Sequence, residues 1–297
     1  MKKRTYNNPV GVGKYTGLLL ITPFIAGFLL FTLYPFAASF LLGLTDYDGV
    51  HPPQFIGFEN YRELLADSEL HDAALVTIKY TLILVPLKLI ISLLAAMLLN
   101  LEVRGIGIYR TAFYVPSILG ANLAVVIMWQ FLFTSGGLVN QLIGLTGADA
   151  VSWYGDSRYA LFTIILLRLW EFGSAMVLFL NALRDVPKEY YDAAKVDGCG
   201  GVRSFFAITL PMLKNVIFLN LVLQTIAAMQ EFNAPYMLTG GGPMRSTYTI
   251  GMMIYNEMFR YHDAGTANAV SWLLFLFITA AVLILFRLTG RNREDSI

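Results

Sequence analysis

The sequence has 297 residues, of which 57% are hydrophobic and 14% are charged, and its formal net charge is +1. Ordinary soluble domains are about 45–50% apolar and about 25% charged, so this composition excludes an ordinary soluble enzyme and favours a membrane protein. The small net charge gives no reason to expect a nucleic-acid partner. One cysteine and three histidines without ligand-like spacing predict neither a disulfide framework nor a metal site.

Apolar runs predict an all-α integral membrane protein with six transmembrane helices, because about 20 apolar residues cross a bilayer. The predicted spans are residues 17–44, 73–99, 112–134, 159–182, 213–238 and 266–286. The second span is the least clear, because Lys79, Pro86 and Lys88 interrupt it. No repeat or flexible linker divides the sequence, so residues 1–297 are expected to form a single transmembrane domain.

The distribution of lysine and arginine predicts the direction of the spans, because basic residues collect in cytoplasmic loops. With the N-terminus inside, the inner segments hold 14 of the 21 basic residues and the outer loops hold 4. Both termini are therefore predicted to be cytoplasmic. The basic start, residues 1–4, also resembles a signal peptide, but the first apolar run exceeds the roughly 7–15 residues of a signal h-region. The first helix is therefore expected to remain as an anchor.

The segment between the fourth and fifth spans, residues 184–211, has the composition of a helix rather than of a loop. Pro187 near a helix start and Gly198 just past a helix end predict a short helix over Pro187–Asp197. The chain is then expected to turn at three glycines and to return through a second short segment: Gly198, Gly200 and Gly201, followed by Val202–Leu210.

Small side chains on the predicted short helix favour close docking of a partner. Ala193 and Ala194 form a shallow face, which is flanked by Glu189, Asp192 and Lys195. A partner surface can approach such a face closely, and the flanking charges can orient it. The alternative interpretation is a solvated helical connector.

Seven residues of the segment form the string D-A-A-x-x-x-G-x9-I-x-L-P: Asp192, Ala193, Ala194, Gly198, Ile208, Leu210 and Pro211. This string resembles the E-A-A loop of binding-protein-dependent ABC transporter permeases, with Asp192 where that family usually has Glu. Further stretches resemble the carbohydrate-uptake branch of the family, in particular the first permease of a maltose, glycerol-phosphate or multiple-sugar system: residues 22–40, 55–65, 236–259 and 264–275.

The resemblance implies the type I permease fold of ABC importers in the cytoplasmic (inner) membrane, surrounded by the lipid bilayer. Residues 184–211 would be the ATPase-coupling loop, with Glu189 and the seven residues of the string in contact with the ATPase or supporting that contact. The implied partners are a second homologous permease that completes the pore, an ABC ATPase dimer, an extracytoplasmic sugar-binding protein, and a sugar or oligosaccharide. ATP and Mg²⁺ are expected on the ATPase, with no cofactor and no catalysis in this chain.

The sequence string nearest to a phosphate-binding loop, Gly11–Tyr15, has tyrosine at the position where such a loop has the serine or threonine whose hydroxyl binds the metal. The string is therefore not expected to bind ATP.

Polar residues in the fifth span predict a site inside the membrane. Asn220, Gln224 and Glu231 fall at about 0°, 40° and 20° on a helix of 100° per residue, so they share one face. Their amides and carboxylate can bond sugar hydroxyls along a substrate pathway. The alternative is that they bond the second permease across the helix interface. Asn233 and Tyr236 are further candidates near the outer end.

Ionisable residues in the fourth span are a second candidate, because such groups are costly inside a membrane. Arg168 and Glu171 are three residues apart, so they can form an ion pair within one helix. Contact with substrate or with a partner remains the alternative. Lys88 needs a carboxylate or carbonyl partner that the sequence does not identify. A rival function is a proton-coupled secondary transporter that uses Glu171, Glu231 and Arg168 as a relay.

Overall fold

The computed structural model describes residues 16–290, apart from residues 102, 121 and 146. The predictions that concern the basic N-terminal start, the Gly11–Tyr15 string and the C-terminal residues 291–297 lie outside the described residues. Within the described residues the chain is helical and contains no strand, which confirms the all-α prediction for this part of the chain. One isolated antiparallel bridge joins Thr45 to Phe55.

Sixteen α-helices follow one another in the described residues. They are α1 (Thr16–Phe28), α2 (Tyr34–Leu42), α3 (Glu59–Ala66), α4 (Ser68–Leu99), α5 (Ile106–Leu119), α6 (Leu123–Leu132), α7 (Leu138–Leu142), α8 (Ser157–Trp170), α9 (Gly173–Arg184), α10 (Lys188–Val196), α11 (Gly201–Ser204), α12 (Leu210–Met212), α13 (Lys214–Met229), α14 (Asn233–Thr239), α15 (Ile250–Phe259) and α16 (Ala264–Gly290). Two π-helical segments and one 3-10 turn complete the helical structure: Leu29–Leu33, Phe205–Thr209 and Gly147–Asp149.

Three continuous helical stretches are long and apolar enough to cross a membrane: Leu19–Leu42, Ser68–Leu99 and Ala264–Leu288. Three pairs of consecutive helices are long and apolar enough to cross a membrane only when the two helices of each pair are counted as one bent span. The bends are 102° between α5 and α6, 45° between α8 and α9, and 69° between Gly201–Met212 and α13. Among the described residues, the chain therefore has three continuous candidate spans and up to six candidates in all.

The breaks correct the expectation that residues 112–134, 159–182 and 213–238 are each one continuous helix. Between α13 and α14 the cause is Pro235, which has no N–H to donate to the carbonyl of Glu231 four residues earlier. That carbonyl instead accepts a hydrogen bond of 2.8 Å from the Thr249 hydroxyl. Between α8 and α9 the carbonyl of Phe172 accepts from the backbone N–H of Met176 at 3.0 Å and also from the Ser92 hydroxyl of α4 at 3.1 Å. The carbonyl that Pro235 leaves without its helical donor is thus satisfied by a later segment of the chain.

The long helix α4 organises the buried part of the chain. It packs most extensively against α9 and α13, and it also contacts α8 and α15. Three buried apolar clusters follow it from its beginning to its end, and each contains residues of α4: the first includes Ala73, the second Leu84 and the third Ala96. The predicted second span is therefore the most central helix of the fold, although its sequence signal is the weakest.

The first apolar stretch, Leu19–Leu42, contributes little to this packing. No residue of its most apolar part is buried within the chain. Its end is held, because Phe36 and Phe40 pack on Trp272 of α16 with ring centroids 4.6 and 5.0 Å apart. The Trp272 indole also donates a hydrogen bond of 3.1 Å to the Ser39 hydroxyl.

Candidate functional site

One arginine joins the break between α8 and α9 to the break between α13 and α14. Arg168 lies in the last turn of α8, and its Nη1 is 2.8 Å from Oε2 of Glu171, the residue that ends this helix. Its Nη2 is 2.7 Å from Oε1 of Glu231, which lies between α13 and α14. The three side chains are only 16%, 10% and 7% exposed, respectively. They form a buried ionic triad of one cation and two anions.

Glu231 is the most extensively bonded member of this triad. Its Oε1 also accepts from the backbone N–H of Ala234 at 3.1 Å, in the first turn of α14. A carboxylate at this position stabilises the free N–H groups and the positive end of a helix. Its Oε2 accepts a hydrogen bond of 3.4 Å from the Tyr80 hydroxyl of α4. Glu231 therefore links α4, α8 and α14.

A cavity of about 190 Å³ lies beside the triad. Its lining side chains come from α4, α8, α13 and the two breaks: Tyr80, Leu84, Val85, Lys88, Arg168, Glu171, Gln224, Ala227, Ala228 and Glu231. Two basic and two acidic side chains balance its charge, and neutral polar groups complete it.

Two polar atoms of the triad, Nε of Arg168 and Oε1 of Glu171, have no hydrogen-bond partner within the described part of the chain. Both atoms are fully buried, so neither is open to a ligand in this conformation. A buried donor or acceptor without a partner costs about 1–3 kcal/mol.

The residues predicted for the fifth span separate in the structure. Gln224 and Glu231 both line the cavity. Helix α13 ends at Met229, so the prediction that Glu231 shares one helical face with Asn220 and Gln224 does not hold. Asn220 is fully buried and does not line the cavity. Neither polar atom of its side chain has a hydrogen-bond partner in the described residues.

Asn233 and Tyr236 lie apart from the cavity, on α14. Asn233 is exposed. Tyr236 stacks on Phe232 and contacts Tyr255, with ring centroids 5.0 and 4.9 Å away. Its hydroxyl donates a hydrogen bond of 3.3 Å to that of Tyr255. The structure thus places Tyr236 in an aromatic cluster between α14 and α15.

Sequence reasoning did not connect Tyr80 and Lys88 with this site. Lys88 lines the same cavity as Glu171 and Glu231, which identifies the carboxylates that it faces. No carboxylate oxygen of the described residues lies within ion-pairing distance of its ammonium. Tyr80 and Lys88 are eight residues apart on α4, a spacing that puts them about 80° apart around the helix axis. That spacing is only a weak signal for a shared site.

The helix predicted in the loop of residues 184–211 is present as α10, with Pro187 before it and Asp197 after it. It ends in a Schellman motif: the Gly198 N–H donates to the Lys195 carbonyl at 3.0 Å, and the Cys199 N–H donates to the Ala194 carbonyl at 2.8 Å. Gly198 has φ +73°, the left-handed conformation that this motif requires. Of the three glycines expected to turn the chain, only Gly198 does so in this conformation, and Gly201 instead begins α11.

The remaining predicted residues of the loop lie at its surface or just beneath it. Glu189, Asp192 and Ala193 are exposed, Ala194 is half-buried, and Asp192 pairs with Lys195 at 2.9 Å. The second segment is helical from Gly201 to Met212, with a π-helical turn in its middle. Ile208 lies in the π-helical turn and is half-buried. Leu210 and Pro211 lie in α12, where Leu210 is half-buried and Pro211 is exposed.

Comparison with known proteins identifies the class of this fold. A family model described as "Binding-protein-dependent transport system inner membrane component" matches residues 88–292. The probable ABC transporter permease protein YesP of Bacillus subtilis is 42% identical over 275 residues, which cover 91% of this chain and 89% of that protein. The sulfoquinovosyl glycerol transport system permease protein SmoG of Agrobacterium fabrum is 35% identical, over 91% of this chain and 90% of that protein.

A solved structure has the same fold. It is the crystal structure of a bacterial ABC transporter involved in the import of the acidic polysaccharide alginate, and one of its chains aligns with a TM-score of 0.78 at 20% identity. The alignment covers 94% of this chain and 97% of that chain. The fold is thus that of an integral membrane permease of ABC importers.

The chain belongs to the family of binding-protein-dependent transport system inner membrane components. It is the permease component of such a transport system. The resemblance deduced from the D-A-A string and from the carbohydrate-type stretches is confirmed.

Proposed function

We propose that this chain is half of the translocation pore of an ATP-driven sugar importer. A second homologous permease would complete the pore, an ABC ATPase dimer would power it, and an extracytoplasmic binding protein would deliver the sugar. The family match over residues 88–292 carries this proposal, because it includes both α10 and the three residues of the ionic triad. The relative named for sulfoquinovosyl glycerol supports a carbohydrate substrate.

The proposed arrangement in the membrane has six spans in one domain of residues 1–297, with both termini in the cytoplasm. The three continuous helices would each cross once, and each bent pair would form or complete one further span. The excess of basic residues in the inner segments supports this direction. The location would be the cytoplasmic membrane.

The proposed coupling element is α10 with the residues that follow it. Its exposed surface and its residues Glu189, Asp192, Ala193 and Ala194 suit docking into a groove of the ATPase. The Schellman turn at Gly198 sets the angle at which the chain leaves α10. Ile208, Leu210 and Pro211 lie where the second segment meets α13, so movement of α10 can reach the fifth span. ATP and Mg²⁺ would be bound by the ATPase, and this chain would bind no cofactor.

The proposed substrate pathway passes the cavity between α4, α8 and α13. Gln224, Arg168, Glu171 and Glu231 line it, and a rearrangement that exposes the unpartnered Nε of Arg168 and Oε1 of Glu171 would offer a donor and an acceptor to a sugar hydroxyl. Asn233 and Tyr236 would belong to the outer approach to this cavity. Asn220 would enter the pathway only in a conformation that exposes it, because it is fully buried here.

The test reconstitutes the chain with its partner permease, its ATPase and its binding protein in liposomes, and measures uptake of a panel of neutral and acidic oligosaccharides. Uptake that needs both ATP and the binding protein is expected. Liposomes that contain this chain alone, with an imposed pH gradient, are the control. Sugar uptake by this chain alone in response to the gradient would contradict the proposal and favour the proton-coupled carrier.

A further inference from the structure

One cation in the cavity beside the ionic triad lacks a direct partner within the described part of the chain. Lys88 of α4 lines this cavity, and no carboxylate oxygen of the described residues lies within ion-pairing distance of its ammonium. The ammonium also makes no hydrogen bond with a described residue, although the charges of Glu171 and Glu231 act on it from a greater distance. It is not one of the fully buried polar atoms without a partner, unlike Nε of Arg168. The ammonium is therefore open to the cavity.

The two carboxylates that face this ammonium already have donors of their own. Glu171 accepts from Nη1 of Arg168 at 2.8 Å, and Glu231 accepts from Nη2 of the same guanidinium at 2.7 Å. Glu231 also accepts from the backbone N–H of Ala234 at 3.1 Å and from the Tyr80 hydroxyl at 3.4 Å. These hydrogen bonds disperse the negative charge of the triad over several donors. Among the four charged groups that line the cavity, the ammonium alone has no such contact with a described residue.

An open ammonium inside a membrane protein favours a ligand that brings an acceptor. The group carries three donors and no acceptor, and a buried charge without a partner is costly. Within the described part of the chain, the cavity provides no acceptor in contact with Lys88, so the acceptor must come from what occupies the cavity. A hydrogen bond between two charged groups is about twice as strong as one between neutral groups. An anionic oxygen therefore offsets the cost more than a hydroxyl does.

Gln224 of α13 provides a second open polar group in the same cavity. Its amide makes no hydrogen bond with a described residue and is not one of the fully buried atoms without a partner. An amide supplies both donors and an acceptor, which suits the hydroxyl groups of a sugar. Helices α4 and α13 pack against each other, so Lys88 and Gln224 reach the cavity from two neighbouring helices.

We propose that Lys88 determines which sugars the cavity accepts. Its ammonium binds an anionic substituent of the sugar, a carboxylate or a sulfonate, while the Gln224 amide bonds hydroxyl groups. This role of Lys88 rests on the proposed function, because the ligand of the cavity is a sugar only if the chain transports sugars. It deepens that function by naming acidic sugars as the substrate class.

The test compares acidic sugars with uncharged counterparts of nearly the same shape. Binding of trigalacturonate, a glucuronate disaccharide and 6-sulfo-6-deoxyglucose, and of the amide of each acid, is measured by saturation-transfer NMR. The sample is the assembled permease–ATPase complex in detergent, without ATP and without the binding protein, so the selectivity of the binding protein does not contribute. At least one acid should bind about tenfold or more tightly than its amide.

The variants assign this preference to one side chain. Lys88→Gln should weaken binding of the preferred acid about tenfold and change binding of its amide by less than about twofold. Lys88→Arg keeps the charge and should retain the preference within about threefold. The matched control is Lys79→Gln, which removes an exposed cation from the same helix outside the cavity and should leave the preference unchanged.

A wild-type complex that binds every amide as tightly as its acid overturns the role of Lys88, whether or not the variants assemble. Loss of the preference in Lys79→Gln, or equal weakening of acid and amide in Lys88→Gln, also overturns it. ATP-dependent uptake is measured separately in liposomes. Uptake restricted to uncharged sugars would therefore retain the proposed function and overturn only the role of Lys88.

Discussion

Nη2 of Arg168 lies 2.7 Å from Oε1 of Glu231, and this contact joins two helix breaks that are 63 residues apart in the sequence. One break ends α8, and the other separates α13 from α14. In the proposed arrangement, α13 follows the coupling segment directly and α8 precedes it through α9. The ion pair therefore connects α8, one break before α9, to the residue that follows the end of α13, beside the polar cavity.

Removal of Arg168 should destabilise the protein more than removal of an exposed cation. The Arg168→Gln variant leaves Glu171 and Glu231 buried without their cation, and breaking a buried ion pair costs about 3–5 kcal/mol. The loss should appear as a lower melting temperature of the assembled transporter. The double variant Arg168→Gln/Glu231→Gln should be less destabilised than Arg168→Gln alone, because it removes one of the two stranded charges.

The control for the ionic triad is Arg158→Gln, whose side chain is 81% exposed and whose nearest ion-pair distance is 3.5 Å. An exposed pair contributes about 0–1 kcal/mol, so its melting temperature should remain near that of the wild type. If Arg158→Gln and Arg168→Gln lower the melting temperature by the same amount, burial of the triad has no energetic consequence.

Replacement of Gly198 should impair coupling without removing the protein from the membrane. Valine at φ +73° is strained by about 1–2 kcal/mol or more, although open space surrounds the position. That strain should weaken the end of α10 and lower sugar uptake about fivefold or more, while ATP hydrolysis continues. Uptake and ATP hydrolysis are measured in the same liposomes, and Gly198→Asn should be milder because asparagine tolerates this conformation.

The chain offers a close control in Gly200, two residues further on. Its backbone is extended, at φ −71° and ψ 164°, and no atom lies within 4 Å of the position that a Cβ would occupy there. Gly200→Val should therefore retain uptake. If Gly200→Val and Gly198→Val lose uptake alike, bulk in the loop is responsible and the left-handed turn is not.

Asn220 should be replaceable by leucine with a gain in stability. Both polar atoms of its side chain are buried without a partner in the described residues, and each such group costs about 1–3 kcal/mol. Asn220→Leu should raise the melting temperature. The control Asn256→Leu should lower it, because Asn256 is also buried but donates a hydrogen bond of 3.0 Å to the Tyr248 hydroxyl. A lower melting temperature for Asn220→Leu would indicate that this amide has a partner in the assembled transporter.

Glu257 of α15 should make stability depend on pH. Burial, together with the smaller effect of the charges of Asp263, Glu69 and Asp67, raises the pKa of its carboxyl from 4.5 to about 7. Folding therefore favours the protonated form. The stabilisation is complete below about pH 4.5 and is lost as the pH rises through about 7.

Melting temperatures measured across this pH window test the role of Glu257. Glu257→Gln should flatten the dependence and melt at a higher temperature than the wild type above about pH 7. Partial exposure of this side chain reduces the effect, since water screens the charge. The control Glu63→Gln changes an exposed carboxylate on α3 and should preserve the slope. A wild-type slope in Glu257→Gln would assign the pH dependence to another group.

Local features of the site were accessible from the sequence. The pair of Arg168 and Glu171 follows from a spacing of three residues on a helix. The end of α10 follows from Gly198 together with Pro187, because caps depend on residues within one turn. The contact between Arg168 and Glu231 was not accessible, because no local rule relates positions on different helices. The break before α14 had a local signal in Pro235, whereas the hydrogen bond by which Thr249 of a later segment satisfies the released carbonyl was not accessible.

The sequence by itself determined the membrane class, the family and the short helix α10 in residues 184–211. These depend on composition and on patterns within a few residues, where backbone and solvation preferences act directly. Only the tertiary structure decided which ionisable groups meet. Lys88, Tyr80 and Glu231 reach one cavity because α4 packs against α8 and α13 at a particular depth and rotation. Burial makes unpaired charge costly, so the packing of whole helices selects the partners.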